Sequence, residues 1–551
     1  MTSPSTYVII GGVAGGMSAA TRLRRLDERA HIIVLERGDD VSFANCGLPY
    51  HVGGVIEQRS ALVLQTPRAL GARFGLDVRV RTEAVAIDSA ARTVTARDLT
   101  TGEQHIIAYD ALVLSPGAVP YRPELPGVDR GLVLRGLADT DAIVAAAGDA
   151  RTAIIAGGGF IGLELAENLH RRGILVTIVQ SAPQLLTTLD LEMAHPLAQR
   201  AREEGVEVRL SSRLATIEKH SVVLEDGDIL PADLVVIAIG VQPDSALAVA
   251  AGLAVDARGG IVVDEYQRTS DPRIWAVGDA VAKSLSGGGD ALVPLAGLAN
   301  RHGRLAADAI AGHVHTAAPA LGTAVIGFLG LTAASVGMTE RALREQDRRI
   351  RVIHTHPLDH VGYYPGATTL ALKLIVDADT DAILGAQAVG QNGVEKRIDV
   401  IATAMAGGIT GRGLADLELA YAPQYGSAKD PVNLLGYIDD NLIDGELSVQ
   451  WHELEQRRRE GWRLIDVRTE GENEAGAIAG SELIALDELR GRAESLRGER
   501  VIVHCKVGQR GHTAARMLRQ YGVSVANLDG GYLTWQAGRA ATADVVLRME
   551  N

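Results

Sequence analysis

The sequence predicts a multidomain α/β protein. Two glycine-rich turns each lie inside a strand–turn–helix–strand pattern, 62 of the 551 residues are glycine, and 47% of the residues are apolar. A chain of this length corresponds to about three to five domains of roughly 100–200 residues each. So many glycines are typical of the tight strand-to-helix turns that an α/β architecture uses.

The first glycine-rich turn follows an apolar segment at residues 7–10 and reads Gly-Gly-Val-Ala-Gly-Gly over residues 11–16. A helical pattern follows, and the next apolar segment, residues 31–35, ends at Glu36. This βαβ pattern predicts a dinucleotide site, with a pyrophosphate at the turn and a ribose hydroxyl on Glu36. Val13 replaces the middle glycine of the usual motif, and the two glycines after Ala14 are expected to compensate.

The second glycine-rich turn, Gly-Gly-Gly-Phe-Ile-Gly over residues 157–162, matches G-x-G-x-x-G between a predicted strand and a predicted helix. The strand after that helix, residues 175–179, ends at Gln180 instead of an acid. Glutamine can bind a ribose hydroxyl and repels a 2′-phosphate less than an acid does, so NADH and NADPH both remain open. A single glycine turn can be purely structural, but two complete βαβ units favour two dinucleotide-binding domains.

Charge and composition exclude several classes of function. The net charge of −14 argues against a nucleic-acid partner, which would require a basic surface. The first residues have no basic signal-peptide region, and no apolar run reaches about 18 residues, so no membrane span is expected. Two cysteines, Cys46 and Cys505, form no disulfide framework and favour a reducing, cytoplasmic setting. No metal site is expected.

Three further segments follow the same strand-and-turn design, at residues 109–118, 233–244 and 269–280. Together with the two glycine turns they resemble the two-dinucleotide flavoprotein disulfide reductases over nearly all of residues 1–440. The resemblance implies an FAD-binding domain at 1–116 and 245–322, and an NAD(P)H-binding domain at 117–244. The residues that it assigns to FAD are Gly11, Ala14, Gly15, Gly16, Glu36, Ser115, Gly117 and Asp279. Those that it assigns to NADH or NADPH are Gly157, Gly159, Phe160, Ile161, Gly162 and Gln180.

The first cysteine lies in Ser-Phe-Ala-Asn-Cys, residues 42–46. Most of this superfamily carries a C-x-x-x-x-C redox pair, but four places beyond Cys46 the residue is Tyr50, so an internal disulfide is impossible. The segment resembles coenzyme A disulfide reductases, which implies a mixed disulfide between Cys46 and coenzyme A. A helix is predicted to open at residues 47–49, and a helix N-terminus beside a flavin favours the thiolate.

The same resemblance implies contacts with coenzyme A from six residues: Ser18, Arg22, Arg25, Ser42, Asn45 and Lys429. Arg22 and Arg25 are spaced i,i+3 and could form an anion clamp, although a solvated basic face is the simpler reading. The counterparts of Tyr363 and Tyr421 reach the redox centre of the other subunit, where they could donate a proton; packing is the alternative. Residues 323–440 are therefore expected to form a dimer-interface domain in a homodimer.

The second cysteine follows an apolar segment at residues 501–504 and precedes an amphipathic pattern at 513–521. Residues 450–551 resemble a rhodanese sulfurtransferase domain, joined through a linker at 441–449. The turn between strand and helix forms a nest of backbone N–H groups that stabilises a thiolate or persulfide at Cys505, and Arg510 adds a positive charge. The C-x4-R loop is one residue shorter than that of a tyrosine phosphatase, which favours sulfur over phosphate.

These features predict an FAD-dependent, NAD(P)H-driven reductase of persulfides, polysulfides, coenzyme A disulfide or coenzyme A persulfide. Cys46 would reduce the sulfane sulfur to thiol and sulfide, and Cys505 would carry sulfane sulfur. Two alternatives remain open: an NADH peroxidase or oxidase that uses a Cys46 sulfenic acid, and a rhodanese sulfurtransferase whose flavoprotein half is a redox sensor. The first glycine turn lacks the histidine that peroxide-reducing relatives carry, which favours a thiol or disulfide substrate.

Overall fold

The computed structural model describes residues 4–549, with side chains up to residue 544. The chain folds into two compact units. The first unit contains the residues up to 179 and residues 213–322, and the second contains residues 180–212 and the chain from 323 onward. No helix within residues 4–549 combines the length and apolar character that crossing a membrane requires.

The strands, in chain order, are β1 (Thr6–Ile10), β2 (His31–Leu35), β3 (Asp77–Arg79), β4 (Thr82–Asp88), β5 (Thr93–Asp98), β6 (Gln104–Ala108), β7 (Ala111–Leu114), β8 (Ala118–Pro120), β9 (Thr152–Ala156), β10 (Leu175–Val179), β11 (Glu207–Arg209), β12 (Leu214–Ile217), β13 (Ser221–Leu224), β14 (Ile229–Pro231), β15 (Leu234–Ile237), β16 (Val241–Pro243), β17 (Ile274–Ala276), β18 (Ala282–Ser284), β19 (Asp290–Leu292), β20 (Ala324–Phe328), β21 (Leu331–Gly337), β22 (Ile350–Thr355), β23 (Ala371–Asp377), β24 (Ile383–Gly390), β25 (Leu447–Val449), β26 (Arg463–Asp466), β27 (Glu482–Leu483), β28 (Arg500–His504) and β29 (Ser524–Leu528).

The α-helices are α1 (Ala14–Leu26), α2 (Leu48–Val52), α3 (Pro67–Phe74), α4 (Leu137–Ala147), α5 (Phe160–Arg171), α6 (Leu191–Glu203), α7 (Ala246–Ala250), α8 (Ala296–Ile310), α9 (Glu340–Glu345), α10 (Val394–Ala406), α11 (Pro431–Ile443), α12 (Leu454–Arg459), α13 (Glu470–Glu474), α14 (Leu486–Arg492), α15 (Gln509–Gln520) and α16 (Gly531–Met549). Short 3₁₀ helices cover Asn45–Gly47, Arg59–Leu62, Val128–Arg130, Arg412–Asp416 and Ala493–Leu496.

The first unit is built on two parallel sheets. One has the strand order β17-β7-β1-β2-β3, and apolar residues cover both of its faces. The other contains β10, β9 and β15, which pair in that order and in parallel. Strands β7 and β15 are buried along their whole length, as strands covered on both faces must be. Both βαβ units predicted from the sequence are confirmed.

The second unit contains an antiparallel sheet and a parallel sheet. The antiparallel sheet has the order β20-β21-β24-β23-β22, and its strand β24 is completely buried. The parallel sheet has the order β25-β29-β28-β26-β27, with an apolar core that includes Cys505. The fold class, α/β domains with an α+β domain before a C-terminal α/β domain, is confirmed.

Two segments differ from the sequence-based expectation. Helix α6, inside the range 117–244, packs against β24 and α16 and therefore belongs to the second unit. Residues 441–449, predicted to be a linker, contain the end of α11 and the whole of β25, which pairs in parallel with β29. Only residues 444–446 lie between the end of α11 and the start of β25, and Val449 of β25 is buried in the core of the C-terminal domain.

A buried group of charges joins α6 to the antiparallel sheet. The Lys373 side chain is fully buried, and its Nζ lies 2.9 Å from Asp190 Oδ2, 2.6 Å from Glu192 Oε1 and 2.7 Å from Glu340 Oε2. Burial alone would lower the pKa of Lys373, but the three carboxylates outweigh burial and raise it. We call these four residues the Lys373 cluster; its cation is the lysine ammonium.

Replacing Lys373 by Met should reduce the free energy of unfolding of the second unit by about 3–5 kcal/mol, because three buried carboxylates would lose their counter-charge. Urea unfolding followed by tryptophan fluorescence measures this, since Trp451, Trp462 and Trp535 all lie in the second unit. The matched control is Arg349→Gln, which removes an exposed ion pair to Asp379 and should cost about 0–1 kcal/mol. Equal costs for the two variants would contradict the interpretation.

Candidate active site

The first glycine turn connects β1 to α1 and has the geometry of a nucleotide-binding turn. Gly11 has a φ of 100°, and a Cβ there would overlap the carbonyl oxygen of Ser115, so only glycine fits. Gly12 and Val13 follow, and α1 begins at Ala14, so that Ala14, Gly15 and Gly16 form its first turn. The free N–H groups of such a turn favour a phosphate.

Glu36 lies directly after β2, where the sequence places a ribose-binding acid. Its Oε2 accepts a hydrogen bond from the Gly12 N–H at 2.8 Å, and its Oε1 accepts one from the Gly38 N–H at 2.7 Å. The carboxylate is therefore oriented at the edge of the first glycine turn. Ser115 follows β7 on the other side of β1, and Gly117 lies two residues beyond it.

The hydrogen bonding of the Asp279 side chain shows whether the first unit fits a flavin nucleotide. It lies three residues after β17, and within residues 4–549 no group donates a hydrogen bond to its buried Oδ1. Burial raises the pKa of Asp279, and burial also lowers the pKa of the neighbouring Lys283 to about 8. Neither ring nitrogen of the buried His302 has a partner among the described residues. Unsatisfied buried acceptors and donors of this kind match the hydroxyl-rich chain of FAD.

The second glycine turn fits a nicotinamide nucleotide. A Cβ built at Gly159 would meet no atom within 4 Å, whereas a Cβ at Gly162 would overlap the Gly157 carbonyl oxygen. Helix α5 begins at Phe160, and the Ile161 side chain is exposed. The middle glycine thus leaves room for a pyrophosphate, and the last one allows α5 to pack closely on β9.

Gln180 is predicted to bind the adenosine ribose. It is the first residue of the segment 180–212, which contains α6 and belongs to the second unit. Its side-chain Nε2 donates a hydrogen bond to the Gln184 carbonyl at 3.2 Å, which holds the amide group in one orientation.

Cys46 lies in the 3₁₀ helix Asn45–Gly47, between β2 and α2, and is exposed. Helix α2 begins at Leu48, as predicted, but it has only five residues. Desolvation by the surrounding protein raises the pKa of the Cys46 thiol, and the negative charges of Glu164 and Asp279 raise it further. Among the protein's own groups, burial and these two carboxylates oppose the thiolate that the sequence predicts beside a flavin, and a backbone hydrogen bond acts in the other direction.

Glu164 is the residue of this site that sequence reasoning missed. It lies in the first turns of α5 and accepts a hydrogen bond from Tyr50 Oη at 3.2 Å. Burial raises the pKa of Glu164 to about 7 and the pKa of Tyr50 to about 12. A sequence signal existed, since Glu164 follows the last glycine of the second turn by two places. The Glu164 carboxyl group can therefore take up or release a proton near neutral pH, while Tyr50 keeps its proton.

The segment before Cys46 is attached to the first glycine turn. Ser42 has a φ of 49°, its N–H donates to the Gly12 carbonyl at 2.9 Å, and its carbonyl accepts from the Leu64 N–H at 3.0 Å. The adjoining Asn45 is exposed. The positions of Gly12 and of the cysteine loop are consequently linked through backbone hydrogen bonds.

The residues of α1 assigned to coenzyme A differ in the partners that their side chains have within the protein. Ser18 Oγ donates a hydrogen bond to Asn300 Oδ1 at 2.7 Å. The Arg22 guanidinium is bound by the buried carboxylate of Asp308 at 2.7 Å, whereas Arg25 is exposed. Much of the charge of the proposed clamp is thus already neutralised on Arg22.

In the second unit, Tyr363 and Tyr421 form a pair on the surface. Their hydroxyl oxygens lie 3.0 Å apart, and both rings are exposed. The hydrogen bond between the two hydroxyl groups raises the pKa of Tyr421. Lys429, on the segment before α11, is also exposed. The sequence singled out these two tyrosines separately, and the fold brings them into contact.

Cys505 follows β28 and is completely buried. Its Sγ accepts a hydrogen bond from the Gly508 N–H at 3.2 Å, and α15 begins at Gln509, four residues earlier than the sequence pattern indicated. A backbone donor at a helix N-terminus stabilises a thiolate or persulfide. The Gly508 N–H is one donor of the nest that the sequence predicts around Cys505.

Arg510, the basic residue of the Cys505 loop, is already paired. Its Nη1 and Nη2 lie 2.7 and 2.6 Å from the two oxygens of Glu472. The hydrogen bonds from Arg510 lower the pKa of Glu472 to about 2, and those same bonds raise the pKa of Arg510. No motif in the sequence indicated Glu472, which lies 38 residues away on α13.

Two nucleotide turns on parallel sheets and an unpartnered aspartate at a strand end define a flavoprotein oxidoreductase that uses a pyridine nucleotide. Residues 5–311 match the model of the pyridine nucleotide-disulphide oxidoreductases, residues 323–430 match the dimerisation domain of the same family, and residues 450–538 match the rhodanese-like domain. The chain belongs to the pyridine nucleotide-disulphide oxidoreductase family and carries a rhodanese-like domain. Membership implies FAD and NAD(P)H as cofactors.

Named relatives resemble the chain over most of its length. A coenzyme A disulfide reductase of Staphylococcus aureus is 34% identical over 435 residues, which are 78% of this chain and 98% of that protein. The crystal structure of reduced Bacillus anthracis CoADR-RHD superposes with a TM-score of 0.96 at 44% identity, covering 98% of both chains. An NAD-dependent persulfide reductase from A. fulgidus gives a TM-score of 0.90 at 35% identity, covering 96% of this chain and 100% of that one.

The two glycines of the second turn should respond differently to alanine. Gly159→Ala should fold normally and weaken NAD(P)H binding about tenfold or more, because the new methyl group enters the space for the pyrophosphate. Gly162→Ala should instead lower the yield of folded protein, since its methyl group would overlap backbone. KM for NADH and NADPH and thermal unfolding separate the two effects; a normal KM in folded Gly159→Ala would refute the assignment.

Glu164→Gln should lower the pKa of the Cys46 thiol, because it removes one of the charges that raise it. Glu164 itself titrates at about 7, so the variant and the parent should differ above that pH and converge below it, where Glu164 is protonated. The rate of alkylation by iodoacetamide against pH, in a Cys505→Ser background, measures this on a single thiol. Glu167→Gln changes one charge on the same helix and is the control, with a smaller effect expected.

Proposed function

We propose that the chain is an FAD-dependent, NAD(P)H-driven reductase of sulfane sulfur, acting on persulfides, polysulfides and disulfides of coenzyme A. The observation that carries the proposal is the pair of lone cysteines in two different settings. Cys46 is exposed among carboxylates near a flavin-type site, and Cys505 is buried with a backbone N–H donated to its sulfur. The relatives named as a coenzyme A disulfide reductase and a persulfide reductase support this choice.

FAD, held by the first glycine turn with Glu36 and Asp279, and NAD(P)H, held by the second turn, would together supply two electrons when bound. The Cys46 thiolate attacks the inner sulfur of a persulfide R–S–SH, forms the mixed disulfide Cys46–S–S–R and releases HS⁻. Two-electron cleavage of that disulfide returns the Cys46 thiolate and releases RS⁻. Because the chain has no second cysteine near Cys46, the other sulfur of each step must come from the substrate.

The Tyr50–Glu164 pair supports this chemistry at neutral pH. With the pKa of Glu164 raised to about 7, the carboxyl group exists in both forms under working conditions. The protonated form removes a negative charge that would otherwise oppose the Cys46 thiolate. The pair can also return a proton to a departing thiolate, which is the role of a general acid with a pKa near the operating pH.

Cys505 is proposed to carry sulfane sulfur as a persulfide. The Gly508 N–H donates to its Sγ, and Glu472 balances the charge of Arg510, so that the loop suits a singly charged persulfide better than a dianion. Coenzyme A is the proposed thiol that links the two cysteines chemically. Its proposed contacts are Ser18, Arg22, Arg25, Ser42, Asn45 and Lys429.

We further propose a homodimer formed through residues 323–440, in keeping with the dimerisation-domain match. In that assembly the exposed Tyr363–Tyr421 pair would serve the Cys46 centre of the other subunit. One hydroxyl of the pair donates to the other, so the O–H of the accepting tyrosine is left to donate a hydrogen bond to a departing thiolate sulfur.

Substitution of each cysteine should separate the two roles. Cys46→Ser should lose NAD(P)H oxidation with coenzyme A persulfide by at least about a hundredfold, since it lacks the nucleophile. Cys505→Ser should keep that activity and lose sulfur transfer from thiosulfate. Stopped-flow reduction of the flavin, followed by mixing with persulfide, polysulfide, coenzyme A disulfide or peroxide, identifies the oxidising substrate. Rapid reoxidation by peroxide alone would overturn the proposal in favour of a peroxidase.

A further inference from the structure

His354, on strand β22, connects the antiparallel sheet to the rhodanese-like domain. It is 2% exposed and lies between Glu192 of α6 and Asp529, which precedes α16. Its Nε2 is 3.0 Å from Glu192 Oε1, and its Nδ1 is 2.6 Å from Asp529 Oδ2. Each ring nitrogen faces a carboxylate oxygen, and a carboxylate only accepts, so both nitrogens carry protons and the ring is an imidazolium.

Asp529 is held by His354 through the backbone as well. The His354 N–H donates to Asp529 Oδ2 at 2.9 Å, and Gln450 Nε2 donates to the same oxygen at 3.2 Å. Asp529 is 5% exposed, so these contacts replace water as its hydrogen-bond partners. Removing the charge of His354 would leave a buried carboxylate with neutral donors alone, which is costly.

The residues directly after Asp529 hold the Cys505 loop by its backbone. The Tyr532 N–H donates to the Cys505 carbonyl at 2.8 Å, and the Leu533 N–H donates to the Lys506 carbonyl at 3.1 Å. Gly531 lies so close that a Cβ there would be 2.6 Å from the Cys505 carbonyl oxygen and 2.8 Å from the Gly508 nitrogen. Any displacement of Asp529 is therefore passed to the loop whose Gly508 N–H reaches the sulfur.

We propose that His354 is a positioning residue for Cys505. As an imidazolium it fixes Asp529, and through Asp529 the first turn of α16, so that the Cys505 loop keeps the shape in which Gly508 donates to Sγ. The inference rests on the proposed sulfur-carrier role of Cys505 and deepens it. Sulfur transfer in the rhodanese-like domain then depends on a side chain that the dimerisation domain supplies.

The charges around His354 determine how this control depends on pH. Burial alone would lower the pKa of His354, but Asp529 and Glu192 raise it to about 9, against the opposing charge of Lys373 on β23. The neighbouring His356, whose Nε2 is 2.7 Å from Thr534 Oγ1, stays neutral because burial and the charge of His354 lower its pKa to about 3. Since the pKa of His354 is raised above its ordinary 6.5, its stabilising effect is complete below that pH and is lost as the pH rises through about 9.

The first test compares His354→Gln with the parent chain in sulfur transfer from thiosulfate to cyanide. The Cys505 thiolate attacks the outer sulfur of thiosulfate, the S–S bond breaks and sulfite leaves; cyanide then takes the sulfur as thiocyanate and restores the thiolate. At pH 7 the variant should show a kcat about tenfold lower, in the range of a disrupted buried charge contact. The ratio of the two rates should approach one above pH 9, where the parent has lost the same proton.

Two controls separate the effect of the His354 charge on Cys505 from other effects of the substitution. His356→Gln changes the other histidine that contacts the rhodanese-like domain, and its rate relative to the parent should not vary with pH, because His356 is neutral throughout. NAD(P)H oxidation that depends on Cys46 should be unchanged in His354→Gln. A ratio for His354→Gln that is already one at pH 7, or that stays constant from pH 7 to 10, would overturn the inference.

The second test does not need sulfur transfer to occur. Hydrogen–deuterium exchange of the segment 529–534 in the full chain, at pH 7, should be about tenfold faster in His354→Gln and in Asp529→Asn than in the parent. If the parent transfers no sulfur, the carrier role of Cys505 fails while exchange still decides the positioning role. If His354→Gln does not fold, two measurements decide it: the exchange of Asp529→Asn at pH 7, and the protection factor of the segment 529–534 in the parent between pH 7 and 10, which removes the intrinsic rise of exchange with pH. Unchanged exchange in Asp529→Asn together with an unchanged protection factor in the parent would refute the proposal.

Discussion

The sites of this protein depend on one constraint: a parallel strand that ends at a sheet edge leaves backbone N–H groups free where the next helix begins. Gly11 after β1, Gly157 after β9 and Cys505 after β28 all occupy such turns. The unsatisfied donors of each turn attract negative charge, whether it belongs to a pyrophosphate or to a sulfur. The same local geometry thus suits two nucleotides and one cysteine sulfur, and the residue placed in the turn decides which.

Cys46 and Cys505 differ in their burial and in the charges that surround them. Burial and two carboxylates raise the pKa of Cys46, and the pKa of Glu164 is itself raised to about 7, so the charge near this thiol changes within the neutral range. Cys505 is buried, and it receives a backbone hydrogen bond while Glu472 balances the basic residue of its loop. The cysteine proposed to react with electrons and substrates is thus the exposed one, and the cysteine proposed to carry sulfur is the buried one.

In the second unit, buried ion pairs hold several helices and strands together. The Lys373 cluster connects α6, α9 and the antiparallel sheet, and Glu192 is shared between Lys373 and His354. From His354 the chain of contacts continues through Asp529 to the Cys505 loop. Because each buried charge requires its partner, these elements can be ordered only together, and the cysteine loop takes part in that order.

Local signals in the sequence determined the fold class, both βαβ units and the places of Cys46 and Cys505, because glycine motifs, apolar strands and lone cysteines act over a few residues. The amphipathic pattern places the start of α15 four residues late, since residues 509–512 of the cysteine loop already form the first helical turn. Tertiary structure alone decided the state of the charges. Glu164 beside Tyr50, Asp308 on Arg22, Glu472 on Arg510 and His354 between Glu192 and Asp529 all join residues far apart in the chain. Desolvation and Coulomb interactions depend on distance in space, which no spacing along the sequence encodes.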